Sequence, residues 1–283
     1  MIFADRLFRQ FYRATFFNVV LVLNIYLRTK ENGSWRNITI LSSKNEIDFF
    51  SCLDKIGLKE RINKDKSVLI KVNLSRPYSK NHPRTDGKIL SNVIEYIYLN
   101  QGNCTIAESA NGYLRENLEQ LGLEEIINKY NVGVLDLDFE DVEEVTIDDE
   151  KHYIPKCFRD FGVRVAIPAT SKRPEMIFSN NVKLFVGAVP RRMYQIDGNH
   201  IAPRPRIHID LHKSVANLFC AIQHYASFDF FINGGLAMDE NRGEFTYKED
   251  LVGNDGIELD LYVLYNFFSY LEKPEYLKRL ESM

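Results

Sequence analysis

Residues 67–73 (SVLIKVN) constrain this chain more than any other stretch. The run is short, branched and mostly apolar on both of the faces that a strand presents. A strand of that kind must be covered on both sides, which is the condition of a parallel sheet. Ile89, Leu90, Val93, Ile94 and Ile97 then recur at helical spacing, and the pattern stops at residues 100–102 (NQG), where glycine can end a helix. Residues 105–107 read as a second strand that runs out into Glu108 and Ser109. Strand, helix and strand in this order make one βαβ unit with a right-handed crossover.

The alternation continues. Residues 114–130 read as one or two helices broken near Gly122, and residues 132–137, 163–167 and 183–186 as further strands. Residues 211–225 are an amphipathic helix with Asp210 in the N-cap position. Residues 228–232 are a buried strand entering Asn233-Gly234-Gly235, and residues 259–270 a last apolar helix. The predicted class is α/β, with an open, mostly parallel sheet flanked by helices, in one or two lobes. Residues 67–270 hold the α/β domain. Residues 1–66 form an N-terminal strand and helix segment of the same domain, and residues 271–283 the end of a C-terminal helix. A weaker boundary falls near residues 148–160, after the acidic run of residues 136–150, which reads as a solvated face or loop.

Charge and cysteine content exclude some function classes. The 36 basic and 39 acidic residues nearly balance, so there is no basic excess of the kind a nucleic-acid partner selects. The four cysteines (Cys52, Cys104, Cys157 and Cys220) are widely spaced and form no C-x-x-C pair. That spacing argues against a zinc ribbon, an iron–sulfur cluster and a disulfide scaffold, and it suits the cytoplasm. Arg6, Arg9 and Arg13 precede an apolar run at residues 14–27. The run falls short of the ~20 residues of a membrane span. It lacks a small-residue cleavage site and is followed by Arg28, Lys30 and Glu31. A buried first strand after a short helix is the preferred reading, and attachment to a membrane surface through residues 6–27 is the weaker one.

In open α/β sheets ligands sit beyond the carboxyl ends of the strands, so the polar residues just after strands are the candidates. Lys71, Asn73, Arg76, Lys80 and Arg84 surround the end of the first parallel strand and would suit an anion. Lys71 lies inside an apolar strand and needs a partner there. Glu108 ends the second strand. Gly187 opens a turn leading to Arg191 and Arg192, and such a turn can present backbone N–H groups to an anion. His208, Asp210 and His212 would share one face if extended and could then bind a divalent metal; if a helix starts at Asp210 they diverge and Asp210 only caps. His208 is also a candidate for proton transfer, because histidine titrates near neutrality. The glycines after Asn233 let backbone approach a ligand closely. Asp255 and Asp260 could orient a base or a hydroxyl, or serve as a turn residue and a helix N-terminal charge.

The order of these pieces resembles the family called domain of unknown function 362, over roughly residues 67–265. Lys71-Val-Asn73-Leu stands where that family has a Lys-x-Asn motif, and Gly102 with Ala107-Glu108-Ser109 matches its glycine-ended helix and acidic strand end. Lys183-Leu-Phe-Val-Gly187-Ala-Val-Pro190 fits its Lys-Asn-x-x-Gly-x-x-Pro element, with Leu184 in place of the asparagine. His208-Ile-Asp210-Leu211 fits the histidine and helix entry. Ile232-Asn233-Gly-Gly235-Leu-Ala-Met238 and the aspartates at 255 and 260 occupy the closing positions, with Asn233 where aspartate is more usual. Many relatives append a ferredoxin-like iron–sulfur region, and this chain departs from them there. The stretch Asn73-Leu-Ser-Arg76-Pro77 is also faintly similar to a turn of the nickel-dependent lactate racemase fold.

The leading expectation is an enzyme that acts on a small anionic metabolite by proton transfer. Its catalytic set is His208, Lys183 and Lys71, the lysines also meeting the anion. Its ligand-binding set is Asn73, Arg76, Glu108, Gly187, Arg191, Asn233, Gly235 and Asp255. No metal ligand is assigned and the cofactor is left open. The alternatives are a non-catalytic binding or interaction protein with a degenerate site, which the departures at Leu184 and Asn233 favour, and a nucleotide- or metal-dependent enzyme of racemase or isomerase type.

Overall fold

The computed structural model describes residues 25–31, 34–75, 83–172, 178–197, 203–239, 243–268 and 272–283. The elements run in chain order as β1 (Ile25–Glu31), β2 (Ser34–Ser43), α1 (Glu46–Lys55), α2 (Leu58–Lys64), β3 (Ser67–Val72), α3 (Gly87–Leu99) and β4 (Asn103–Glu108). Next come α4 (Leu114–Gln120), α5 (Glu124–Lys129), β5 (Gly133–Asp136), β6 (Val142–Ile147), β7 (Glu150–Pro155), β8 (Val163–Ile167) and β9 (Ser171–Lys172). The remainder is α6 (Asn181–Leu184), α7 (Leu211–Tyr225), β10 (Phe230–Asn233), β11 (Leu236–Asp239), β12 (Gly243–Thr246), β13 (Asp250–Gly253), α8 (Gly256–Phe267) and α9 (Glu275–Ser282).

The fold is α/β, built on an eight-stranded sheet in the order β1-β2-β13-β10-β8-β3-β4-β5. Strands β10, β8, β3, β4 and β5 are mutually parallel. Strand β13 is antiparallel to both β10 and β2, and so joins the N-terminal hairpin of β1 and β2 to the parallel half. The alternation within β3 explains why helices cover both faces. Val68, Ile70 and Val72 pack with Phe49, Leu53, Leu58, Ile62 and Ile94 from α1, α2 and α3. Leu69 points to the other face, into a core with Leu218, Ile222, Val263 and Leu277 from α7, α8 and α9. Lys71 has the same parity as Leu69. In register it sits between Ala107 of β4 and Ala166 of β8, two small residues that leave room for its long side chain.

Local sequence explains several element ends. Asp86 caps α3 by accepting from the N–H groups of Lys88 and Ile89, at 2.9 and 3.1 Å. Gly122, at φ +72°, separates α4 from α5. The acidic run is not a loop throughout: its second half forms β6, which pairs with β7 and keeps Glu143 and Glu144 exposed. Asp148 and Asp149, at φ 47° and 60°, make the two-residue turn between them, the backbone hand that a tight hairpin needs.

One expected strand is corrected. Residues 183–186 belong to α6 and the short 3₁₀ turn Phe185–Ala188. Buried hydrogen bonds at both ends of the segment, described below, hold it in a helical path. Among the described residues no helix is long and apolar enough to cross a membrane. Residues 6–24 of the apolar N-terminal stretch lie outside the described residues, and residues 25–27 belong to β1.

Candidate functional site

Two buried polar clusters lie at the carboxyl ends of the parallel strands. The first is centred on Lys71 and Glu108, both with 0% exposure. The Lys71 ammonium donates to Glu108 Oε2 at 3.0 Å and to the carbonyl of Val72 at 2.6 Å. The same Oε2 accepts from the N–H of Leu74 at 3.0 Å, and Oε1 from the N–H of Ser109 at 2.9 Å. Burial pushes the Glu108 carboxyl up and the Lys71 ammonium down, and the opposite charge of each partner resists both shifts. The pair thus ties together the loop starts after β3 and β4.

Gly187 packs directly on this carboxylate: a methyl group there would land on Glu108 Oε1. The Gly187 carbonyl accepts from the N–H of Ser109 at 2.9 Å. Beside it, Arg204 is 4% exposed, and its guanidinium donates to Ser109 Oγ and twice to the Val189 carbonyl, at 2.9 and 2.8 Å. Burial lowers that guanidinium to about 10. Arg191 donates to the carbonyls of Ser75 and Ser109. Its own N–H donates to Asp138 Oδ1 at 2.6 Å, and Asp138 Oδ2 accepts from the N–H of Asn111 at 2.7 Å. Arg192 donates to the carbonyls of Asp138 and Glu140. Together Asn111, Asp138, Phe139, Arg191 and Arg192 line an open cleft of about 450 Å³.

The second cluster lies beyond β8 and β10. Asp260 of α8, with 0% exposure, accepts from the N–H of Asn181 at 2.8 Å, from Asn181 Nδ2 at 2.9 Å and from the N–H of Val182 at 3.1 Å. Asn181 Nδ2 also donates to Asn233 Oδ1 at 2.9 Å, and Asn233 Nδ2 donates to Asn180 Oδ1. Thr170 donates to Asn180 Oδ1 at 2.8 Å and accepts from the Tyr247 hydroxyl at 2.7 Å. Burial raises the Asp260 carboxyl to about 7, against the lowering effect of the N–H groups it accepts from. Residues 180–190 are therefore pinned at one end by Asp260 and Asn233 and at the other by the Gly187–Ser109 bond. Lys183, half-buried, lies between these anchors.

The predicted residues fall unevenly around this arrangement. Lys71, Glu108, Gly187 and Arg191 meet in the first cluster, and Asn233 stands in the second. Asn73 is half-buried at the end of β3, where its N–H donates to Thr85 Oγ1 at 2.8 Å. Arg76 and Lys80 lie outside the described residues. Gly235, at φ +66°, packs against Asp86, where any Cβ would collide. Asp255 is the N-cap of α8, accepting from Ile257 and Glu258 N–H at 2.9 and 3.0 Å. His208 is exposed, and its Nδ1 donates to the Arg204 carbonyl at 2.9 Å. Asp210 accepts from the N–H of Lys213 at 3.1 Å as the cap of α7, and His212 stacks on Tyr276, so the extended metal-binding face does not form.

Sequence reading did not single out Arg204, Asp138, Asn180 or Asn181. Arg204 sits in a run of alternating prolines and arginines that looks exposed, and Asp138 in an acidic run that looks solvated. The pair Asn180-Asn181 just before an apolar turn was a usable signal, since two adjacent amides need buried partners if that turn packs.

Comparison with known families gives a match. The family model described as Domain of unknown function (DUF362) matches residues 68–264. No curated protein matches the chain.

Proposed function

The chain belongs to that family, whose description assigns no reaction, and from this premise we propose an enzyme that holds a small anionic metabolite at the arginine cleft and moves a proton through His208. One observation carries the reading: a continuous line of contacts runs from the cleft to the imidazole. Arg191 bonds the Ser109 carbonyl, Ser109 Oγ bonds the Arg204 guanidinium, and the Arg204 carbonyl accepts from His208 Nδ1. A carbonyl can only accept, so the Nδ1 proton is fixed and the neutral ring keeps its lone pair on Nε2. That nitrogen is the one able to take a proton from a substrate, and the ring is exposed to solvent. Arg191 and Arg192 supply planar donor forks for a carboxylate or phosphate. Lys71 and Glu108, closed on each other, act as the frame that positions the two loops. The four unpaired cysteines suit a reducing compartment, so we place the protein in the cytoplasm.

The test has two parts. Calorimetric titration of the full chain with inorganic phosphate and with small mono- and dicarboxylates should detect binding that Arg191→Ala and Arg192→Ala weaken. Deuterium uptake from D₂O into the carbon acids that bind should then be visible by NMR and lost in His208→Ala. Unchanged deuterium uptake in that variant refutes the role of His208, and failure of every anion to bind refutes the whole reading.

A second reading, an anion-binding protein without catalysis, is favoured by Leu184. The position where the family pattern carries an asparagine is here a buried apolar side chain. Binding in the first experiment with no deuterium uptake in the second would select it.

A further inference from the structure

We infer that the arginine cleft is shaped for an anion that carries a flat ring, an aryl phosphate or a nucleoside monophosphate by chemical class, with the ring on Phe139. This rests on the anion reading above and narrows it. Phe139 is 71% exposed. It is not at the tip of a loose loop. It ends the 3₁₀ turn Leu137–Phe139, whose other two residues are buried. The Asp138 carboxylate is held by the N–H groups of Asn111 and Arg191. Arg192 grips the carbonyls of Asp138 and Glu140, the residues on either side of Phe139. The ring is thus displayed to solvent by a turn fixed from three directions, with a guanidinium bonded across its own flanking peptides.

Donor capacity lies next to the ring. A guanidinium has five N–H bonds. Arg192 spends one from each Nη on the two carbonyls, which leaves three. Arg191 spends both from Nη2 on Ser75 and Ser109, and its Nε faces Asp138 Oδ2 at 3.4 Å without a hydrogen bond. The two N–H bonds of its Nη1 remain. The carboxylate that could repel an anion is itself covered, each Asp138 oxygen accepting a backbone N–H.

Asn111 completes the wall. It is exposed and stands at φ +51°, the left-handed turn conformation that asparagine adopts readily. An exposed phenyl ring, an exposed asparagine and two arginines with donors in hand line one cleft of about 450 Å³, within the range of small-molecule sites. A phosphate alone would use the arginines and leave Phe139 without purpose. A ring-bearing phosphate uses both, because the flat face of the ligand can stack on the phenyl group while its phosphate meets the guanidinium beside it.

The experiment compares inorganic phosphate, phenyl phosphate and cyclohexyl phosphate by calorimetry on the full chain and on Phe139→Leu, with circular dichroism to check folding. Phenyl phosphate should bind about five- to tenfold more tightly than inorganic phosphate, and more tightly than its non-planar cyclohexyl analogue. In Phe139→Leu the phenyl and cyclohexyl compounds should bind alike while inorganic phosphate is unchanged. If phenyl phosphate binds no better than inorganic phosphate, the ring site is overturned and the anion reading stands. If none of the three binds, both fall. If the phenyl preference survives in a folded Phe139→Leu, the ring is held elsewhere and the assignment to Phe139 is overturned.

Discussion

Asp260→Asn tests the buried network that anchors residues 180–190. In the folded protein the carboxyl holds its proton up to about pH 7, against an ordinary value of 3.8. Between these two values the native state binds more protons than the unfolded chain. Stability from this group is therefore fully present below about pH 4 and is lost as pH rises through about 7. A gap of roughly three units corresponds to about 4 kcal/mol over the full window, of which roughly 2–3 kcal/mol falls between pH 5 and 8. Asparagine is neutral at every pH; its oxygen can replace Oδ1, which accepts from Asn181, while its amide nitrogen replaces Oδ2 and forgoes the bond from the Val182 N–H, a loss that does not vary with pH. The variant should thus gain on the wild type by roughly 2–3 kcal/mol between pH 5 and pH 8. Asp250 and Glu258, each raised to about 6 by burial, slope the same way but are present in both proteins and cancel. Urea unfolding followed by circular dichroism at intervals of half a pH unit measures the difference. A gap that stays constant within about 1 kcal/mol would show that Asp260 is ionised throughout, and the reasoning from burial would fail.

Three further outcomes follow from the packing. Lys71→Met strands the Glu108 carboxylate without its cation and should cost about 3–5 kcal/mol, most of it recovered in Lys71→Met/Glu108→Gln, as a double-mutant cycle by denaturation would read. Gly187→Ala drives a methyl group onto Glu108 Oε1 and should cost about 1–3 kcal/mol, visible as a lowered urea midpoint. His152 is 1% exposed, neither ring nitrogen has a hydrogen-bond partner, and burial lowers its pKa below 6.5. Its neutral form is favoured in the fold, so stability should drop as pH falls below about 6.5, and His152→Leu should remove that acid-side loss in the same titration.

The sequence alone determined the parallel strands and the helices between them, since periodicity and capping act over a few residues; the hairpins β6–β7 and β11–β12 and the antiparallel strand β13 were not read from it. The run at 67–73 read as a buried strand because nearly every position is apolar, and it is β3. Asp210 read as a cap because the helical pattern starts beside it, and it caps α7. The same local logic misjudged residues 183–186: their apolar run looks like a strand, and only Asp260, Asn233 and Ser109, all distant in the chain, hold it helical. The demand for a partner at Lys71 was legible from one strand; that the partner is Glu108 required β3 and β4 to pair in register. Membership of the candidate site is almost wholly tertiary. Arg204 meets Ser109 across 95 positions and Asp260 meets Asn181 across 79. No period or motif encodes such contacts. They arise because the parallel sheet brings its carboxyl ends together, and because buried polar groups then bond to whatever the packing places within reach. Whether a charged residue faces solvent or is enclosed, as Arg204 is and His208 is not, was decided there too.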